Sequence, residues 1–129
     1  MSKKCVSTDK APRAIGPYSQ AIMVESGRLI FCSGQIPINP VTGKLIEGDI
    51  TAQTEQVIEN LKTVVTAAGS SLDEVVKTTV YLKNMDDFQA MNDVYQRYFG
   101  KDSPARAAVQ VARLPLDVDI EIEAVAVID

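Results

Sequence analysis

The chain has 129 residues, of which 46% are hydrophobic and 23% charged, a composition typical of one globular domain rather than a disordered segment. Its 13 basic and 17 acidic residues give a net charge of −4, and no long run of Lys or Arg occurs, which disfavours a nucleic-acid-binding role. The sequence has no histidine and only two cysteines, Cys5 and Cys32, so a zinc site of the usual Cys/His type is not expected.

The first part of the chain predicts three strands and a long loop. One strand is predicted at residues 4–7. The apolar runs at 22–25 and 29–33 are separated by Ser26-Gly27, which predicts a β-hairpin. The segment after them, up to residue 49, is rich in Pro, Gly and Asn and predicts an ordered loop.

Residues 49–68 predict an amphipathic helix. Asp49 is a suitable N-cap, and Gly69 supplies the left-handed residue that commonly ends a helix. The apolar positions recur at helical spacing and should face the core. They are Ile50, Val57, Ile58, Leu61, Val64, Val65 and Ala68.

The second part of the chain predicts a strand, a helix and two more strands. Residues 75–82 are rich in β-branched residues and predict a buried strand. An amphipathic helix is predicted at 86–99, with Asp86 and Asp87 at the positive end of its dipole and Gly100 after it. The last two strands are predicted at 107–111 and 118–127.

These elements predict an α+β two-layer sandwich that forms a single domain over residues 1–129, with about six strands and two helices on one face. The other face would carry Glu121, Glu123 and Val125, and Val109 and Val111 from the strand expected beside them. Because this face is too apolar to be fully solvated, we expect it to pack against other subunits.

Residues that could bind or transform a ligand are few, because the familiar Gly-rich phosphate loops and metal clusters do not occur. Arg106 opens an apolar strand, where a guanidinium needs a partner: either an internal carboxylate or the carboxylate of a substrate. Glu121 lies in the middle of the last strand, where it could be solvated or could hold a water in a cleft.

Four further positions could contribute to a site. Tyr18 follows a Gly-Pro turn, where an aromatic ring commonly serves packing. Ser33 and Gly34 end a strand, where backbone N–H groups can be free to bind an anion. Asn92 lies on the second predicted helix, where a polar residue is commonly solvated.

Taken together, these segments resemble the RidA family, also called YjgF/YER057c/UK114. The resemblance covers most of the chain. It rests on RAIGPYSQA at 13–21, SGQIP at 33–37, QVIENLKTVVTAAG at 56–69, KTTVYLKNMDDFQAMNDVY at 77–95 and PARAAVQVARLPLDVDIEIEAVAV at 104–127.

The resemblance implies a chorismate-mutase-like fold with a mixed sheet, assembled as a homotrimer whose sheets pack in a central barrel, with clefts between subunits. It also implies hydrolysis of 2-imino acids, such as 2-iminopropanoate and 2-iminobutanoate, to 2-oxo acids and ammonia. No cofactor or metal is implied. The partners would be small 2-imino or 2-oxo acids and further copies of the chain, with no membrane.

Carried over by position, the resemblance implies that Arg106 binds the substrate carboxylate and Glu121 orients the attacking water. Tyr18, Ser33 and Gly34 would line the cleft. Asn92 would help to close it, and the Ala108 backbone would contact the substrate nitrogen. Many relatives have cysteine where this chain has Ala108, so a mechanism that needs a thiol there is not expected.

Two other functions remain open at this point. A regulatory module that senses 2-oxo acids would use the same Arg106 and leave Glu121 idle. An endoribonuclease is disfavoured by the lack of histidine and of a basic groove. The N-terminal residues, MSKKCVSTDK, have no apolar stretch, and no other segment is apolar enough to span a bilayer. We therefore expect a cytoplasmic protein. In that compartment the two cysteines should be reduced, and we expect both to be packed.

Overall fold

The computed structural model describes residues 2–129, which form eight strands and two α-helices. Short 3₁₀ turns occur at Leu72–Glu74, Met85–Asp87 and Pro115–Asp117. The strands are β1 (Lys3–Val6), β2 (Ala21–Val24), β3 (Arg28–Gln35), β4 (Ile38–Asn39), β5 (Lys44–Leu45), β6 (Val75–Leu82), β7 (Ala105–Gln110) and β8 (Ile120–Ile128). The helices are α1 (Ile50–Ala67) and α2 (Phe88–Phe99).

The central sheet has the strand order β3-β8-β6-β7. Its β6–β7 pair is parallel and its other pairs are antiparallel, so the predicted mixed sheet is confirmed. The sheet has four strands rather than the predicted six, because β1 and β2 pair with each other instead of joining it. β1 and β2 form a separate antiparallel pair, and a single bridge between Ser19 and Ala105 connects the segment before β2 to the outer edge of β7. The small β4–β5 pair lies within the segment predicted as a loop.

The predicted hairpin between residues 22–25 and 29–33 is wrong. Gly27 does reverse the chain there, with a φ of 99° that favours glycine. However, β2 pairs with β1, and β3 pairs with β8. The reversal therefore carries the chain from one pair of strands to another, because the long-range partners of these strands outcompete their neighbour in sequence.

Both helices cover one face of the central sheet, as predicted. Asp49 accepts a hydrogen bond from the backbone N–H of Ala52, which confirms it as the N-cap of α1. Of the predicted apolar stripe, Val64 is 38% exposed and Ala68, the C-cap residue after α1, is exposed as well. The core between helices and sheet includes Val57, Ile58, Leu61, Val65, Val80, Leu82, Met91, Tyr95, Ile120 and Ile122.

The opposite face of the sheet carries no helix and exposes apolar side chains. Phe31 is 75% exposed, Leu29 49% and Val109 43%. Glu121 and Glu123 lie on this open face of β8, alternating with buried residues. The strand that carries Val109 is not beside β8, as expected from the sequence, because β6 lies between them.

The two thiols have different environments. Cys32 is buried in the core, and this burial raises the pKa of its thiol. Cys5 is exposed, so the expectation that both cysteines are packed holds only for Cys32. Within residues 2–129, neither helix has the length and apolar composition that a bilayer span requires.

Candidate functional site

Arg106 extends from the edge strand β7 toward the helices. Its position in the parallel ladder is opposite Thr78, which is fully buried beneath α2. Because directly opposed residues point to the same face of a sheet, the guanidinium lies on the helical side. There its Nη1 donates a hydrogen bond to Oδ1 of Asn92, at 2.6 Å. The structure therefore brings together two of the predicted site residues.

Three aromatic rings surround this guanidinium. The distance from Arg106 Cζ to the ring centroid is 4.8 Å for Tyr95, 5.5 Å for Phe88 and 5.7 Å for Tyr18. These distances allow cation–π attraction, which holds a guanidinium without neutralising its charge. We call this arrangement of Arg106, Asn92 and the three rings the arginine cage.

Tyr95 gives the cage a rigid base. Its phenol shares a 2.7 Å hydrogen bond with Thr78, and both residues have no solvent exposure. Burial raises the pKa of Tyr95 to about 12, so this phenol keeps its proton at neutral pH. A buried polar pair that is fully satisfied fixes the ring against which Arg106 lies.

Sequence reasoning missed Phe88 and Tyr95 as members of the cage. The signal was present in the helical periodicity: Phe88, Asn92 and Tyr95 are spaced by four and three residues on α2, so they share one stripe. Once Asn92 is considered for the site, its two aromatic neighbours on that stripe become candidates as well. Apolar residues at this spacing of a helix commonly belong to the core, which hides such a role.

The charge of Arg106 is not balanced by an internal carboxylate. The ion pairs within residues 2–129 are Lys83–Asp117 and Arg97–Glu55, and neither includes Arg106. Of the two partners considered from the sequence, the internal salt bridge is therefore wrong. Burial lowers the pKa of the guanidinium, although Arg remains protonated in proteins. A half-buried cation with only neutral neighbours favours an incoming anion.

The segment that carries Tyr18 is fixed to the beginning of β7. The backbone N–H of Ser19 donates to the carbonyl of Pro104, at 3.1 Å, and the Ser19 hydroxyl donates to the carbonyl of Ser103. Gly16 lies close to the cage: a Cβ built there would be in ordinary van der Waals contact with Arg106 Nη2 and with the Tyr18 ring, each at 3.8 Å. The turn that carries Tyr18 is therefore packed beside the guanidinium.

Ala108 lies two residues after Arg106 on the same face of β7, opposite Val80. Its methyl group packs against the core. The edge of β7 that faces away from β6 has one backbone pairing within residues 2–129, which is the bridge between Ala105 and Ser19. This edge of β7 is therefore largely free of strand partners.

Glu121 occupies a different place, on the open face of the sheet. It lies opposite Tyr81 on β6 and beside an irregularity of β3 between Cys32 and Gln35, where Ser33 and Gly34 are located. A Cβ built on Gly34 would lie only 1.9 Å from Glu121 Oε2. The carboxylate thus rests directly against Gly34. Burial, and then the charge of Glu123, raise the pKa of Glu121.

The predicted site residues therefore form two groups. Arg106, Tyr18 and Asn92 meet on the helical side, whereas Glu121 rests against Gly34 on the open side, where Ser33 lines a cavity with Glu123. On β6, Thr78 lies opposite Arg106 and Tyr81 lies opposite Glu121; these two positions are three residues apart and point to opposite faces. Within one chain, the guanidinium and the carboxylate do not face each other.

Comparison with known proteins identifies the family. Residues 8–128 match the family model described as "Endoribonuclease L-PSP". A RutC family protein from Pyrococcus abyssi is 58% identical over 126 residues, which covers 98% of each chain. The 2-iminobutanoate/2-iminopropanoate deaminase of Escherichia coli is 48% identical over 127 residues, which covers 96% of this chain and 97% of that protein.

A solved structure supports the same assignment. The crystal structure of E. coli TdcF with bound serine matches with a TM-score of 0.75 and 44% identity, and the match covers 98% of this chain and 99% of TdcF. The chain shares its fold with this structure, is closely similar to proteins of the same length and matches the family model along most of its sequence. We conclude that the chain is a member of the RidA family.

Proposed function

We propose that this protein hydrolyses 2-imino acids, such as 2-iminopropanoate and 2-iminobutanoate, to 2-oxo acids and ammonia. The observation that carries the proposal is the arginine cage, a half-buried guanidinium whose neighbours are three rings and one neutral amide. Such a cation suits a small organic acid, because a guanidinium can bind a carboxylate through two parallel hydrogen bonds. The E. coli deaminase at 48% identity makes the imino acid the preferred candidate.

The proposed chemistry needs only positioning and one base. Arg106 holds the carboxylate, with Tyr18 and Asn92 around it and the Ala108 backbone nearby. The imine carbon is then directed toward a water held by Glu121, beside Ser33 and Gly34. Water adds to the C=N carbon while Glu121 takes one of its protons and passes it to the nitrogen, which forms a carbinolamine. The remaining proton of that water then follows through Glu121 to the nitrogen as the C–N bond breaks, which leaves the 2-oxo acid and ammonia.

In this proposal, two copies of the chain complete each site. Arg106 and Glu121 lie on opposite faces of one sheet, so a single ligand can meet both only if they come from different subunits. The exposed apolar residues of the open face, with Phe31 75% exposed, support an assembly in which these faces pack together. The homotrimer with a central barrel, which the family resemblance implies, would meet this requirement.

The test uses Arg106→Ala and Glu121→Ala, with Arg97→Ala as a matched control because Arg97 makes an exposed ion pair with Glu55. A dehydratase or amino-acid oxidase generates the imine, and its clearance is followed. We expect both variants to lose clearance by about 100-fold or more, and the control to keep the wild-type rate. Wild-type protein that does not accelerate clearance would refute the proposal.

Mixing the two inactive variants tests whether sites are shared between subunits. If each site takes Arg106 from one subunit and Glu121 from the next, co-refolding equal amounts leaves about one site in four with both groups intact. We therefore expect about a quarter of the wild-type activity to return. A mixture that stays inactive after exchange would contradict a shared site.

A sensor and an endoribonuclease are the alternatives. A sensor of 2-oxo acids would need the arginine cage alone, so Glu121→Ala would leave its response unchanged. The description of the matching family model favours testing RNA cleavage. A sequence with a charge of −4 and no histidine lacks the usual acid–base pair for a phosphodiester. Cleavage that persists in highly purified Arg106→Ala protein would point to a contaminant.

A further inference from the structure

The open face carries a second carboxylate beside Glu121, and the two are held differently. Glu121 and Glu123 are separated by one residue on β8 and point to the same face. Glu123 Oε1 accepts a 2.7 Å hydrogen bond from the phenol of Tyr81. Glu121, by contrast, receives none of the side-chain hydrogen bonds found among residues 2–129, so its oxygens are accessible to water.

We infer that Glu123, held in place by Tyr81, is a positioning residue whose negative charge raises the pH at which Glu121 ionises. This inference rests on the proposed function, in which an ionised Glu121 accepts a proton from the attacking water. Two carboxylates in unlike environments can divide their roles: the hydrogen-bonded one is held in place, and the free one lies in its field.

The surrounding strands bring no closer charge to Glu121. From β6, the ionisable groups on this face are Lys77 and the Tyr81 phenol. Lys77 lies opposite Val125, beyond Glu123, and Lys83, just after β6, is paired with Asp117. From β3, the neighbours are Ser33 and Gly34, which are uncharged. Within one chain, Glu123 is therefore the charge that acts on Glu121 most directly.

The ionisation behaviour agrees with this arrangement. The pKa of Glu121 is raised, first by burial and second by the charge of Glu123. The hydrogen bond to Glu123 is the largest cause of the raised pKa of the Tyr81 phenol, which therefore remains a donor at neutral pH. Alternate residues of a strand lie about 7 Å apart, a distance over which two like charges repel each other at a partly exposed position.

The experiment measures the titration of Glu121 directly in the ligand-free protein. Glutamate side chains are labelled with ¹³C at Cδ, and the Glu121 resonance is assigned by its absence in Glu121→Gln. Glu123→Gln removes the charge but keeps an oxygen that can accept from Tyr81, whereas Glu123→Asp keeps the charge. Glu47→Gln, in an exposed loop, is the matched control.

We expect the Glu121 midpoint to fall to lower pH in Glu123→Gln and to remain close to the wild-type value in Glu123→Asp and Glu47→Gln. An unmoved midpoint in Glu123→Gln would overturn the inference. Equal falls in Glu123→Gln and Glu123→Asp would also overturn it, because they would indicate a role in shape rather than in charge.

A parallel pH profile of imine clearance separates this inference from the proposed function. If wild-type protein clears imines, the acidic limb of its profile should move by the same amount as the NMR midpoint in Glu123→Gln, and a limb that does not follow counts against the inference. If wild-type protein does not clear imines, the proposed function fails. The NMR midpoints then decide the coupling of the two carboxylates on their own.

Discussion

Replacement of Gly34 by alanine should impair catalysis while leaving the fold intact. An alanine Cβ at this position would lie 1.9 Å from Glu121 Oε2 and 2.8 Å from its Cδ, whereas real contacts of this kind essentially never fall below 3.0 Å. The carboxylate must therefore move by about 1 Å, and a misplacement of this size can cost about 100-fold in rate. That factor corresponds to about 2.7 kcal/mol in the activation barrier.

The effect on stability should be much smaller. The atoms in conflict belong to the end of a flexible side chain, which can turn away at a cost of about 1 kcal/mol. Replacing glycine by alanine also lowers the conformational entropy of the unfolded chain, which stabilises the folded protein by about 0.4–1 kcal/mol. The free energy of unfolding should thus change little, and thermal unfolding should stay within about 3 °C of wild type.

Gly43→Ala is the matched control, with the opposite outcome. Gly43 has a φ of 70°, and no neighbouring atom lies within 4 Å of the position that an alanine methyl group would take, so alanine there is strained without disturbing the site. It should lower stability by about 1 kcal/mol and leave imine clearance unchanged. The double variant Gly34→Ala/Glu121→Ala should be no slower than Glu121→Ala. If Gly34→Ala clears imines within twofold of wild type, the position of Glu121 does not control the rate.

Two other predictions concern the arginine cage. Asn92→Asp places a carboxylate against Arg106, where the contact to the Asn92 oxygen is now 2.6 Å long. The affinity for 2-oxobutanoate, measured by calorimetry, should therefore fall by about 10-fold or more, whereas Asn92→Ala, which adds no charge, should weaken binding less. Equal affinities of wild type and Asn92→Asp would contradict this prediction. Because the pKa of Tyr95 is raised to about 12 in the folded protein, the unfolded chain loses this proton first, so the free energy of unfolding should fall as pH rises from about 10 toward 12. Urea unfolding at pH 9 and 11 measures the fall, and Tyr95→Phe should reduce it.

The helices could be predicted because their signals are local. The Asp49 cap, the Gly69 stop and the stripe through Val57, Leu61 and Val65 lie within a few turns of one another. The pairing of β2 and β3 was not accessible in the same way. The Ser26-Gly27 reversal is a local signal, but the choice of β1 and β8 as partners depends on strands far away in the sequence.

The site residues show the same division. Strand alternation puts Glu121 and Glu123 on one face from the sequence alone, and this is what the structure shows. Whether Arg106 shares that face depends on the register of β6 with both β7 and β8, and no local pattern gives it. The neutral surroundings of Arg106 likewise depend on how α2 packs over Thr78. The sequence therefore could not tell whether the guanidinium contacts an internal carboxylate or three aromatic rings.

The bridge between Ser19 and Ala105 has a consequence for how the protein is made. Tyr18 is synthesised early and Arg106 late, and their contact joins parts of the chain that most of the domain separates. On the ribosome, Tyr18 cannot contact Arg106 until nearly all of the polypeptide has emerged. Because such distant contacts form slowly, ligand binding should arise in a single late step, and shortened chains that end before β7 should show none of it.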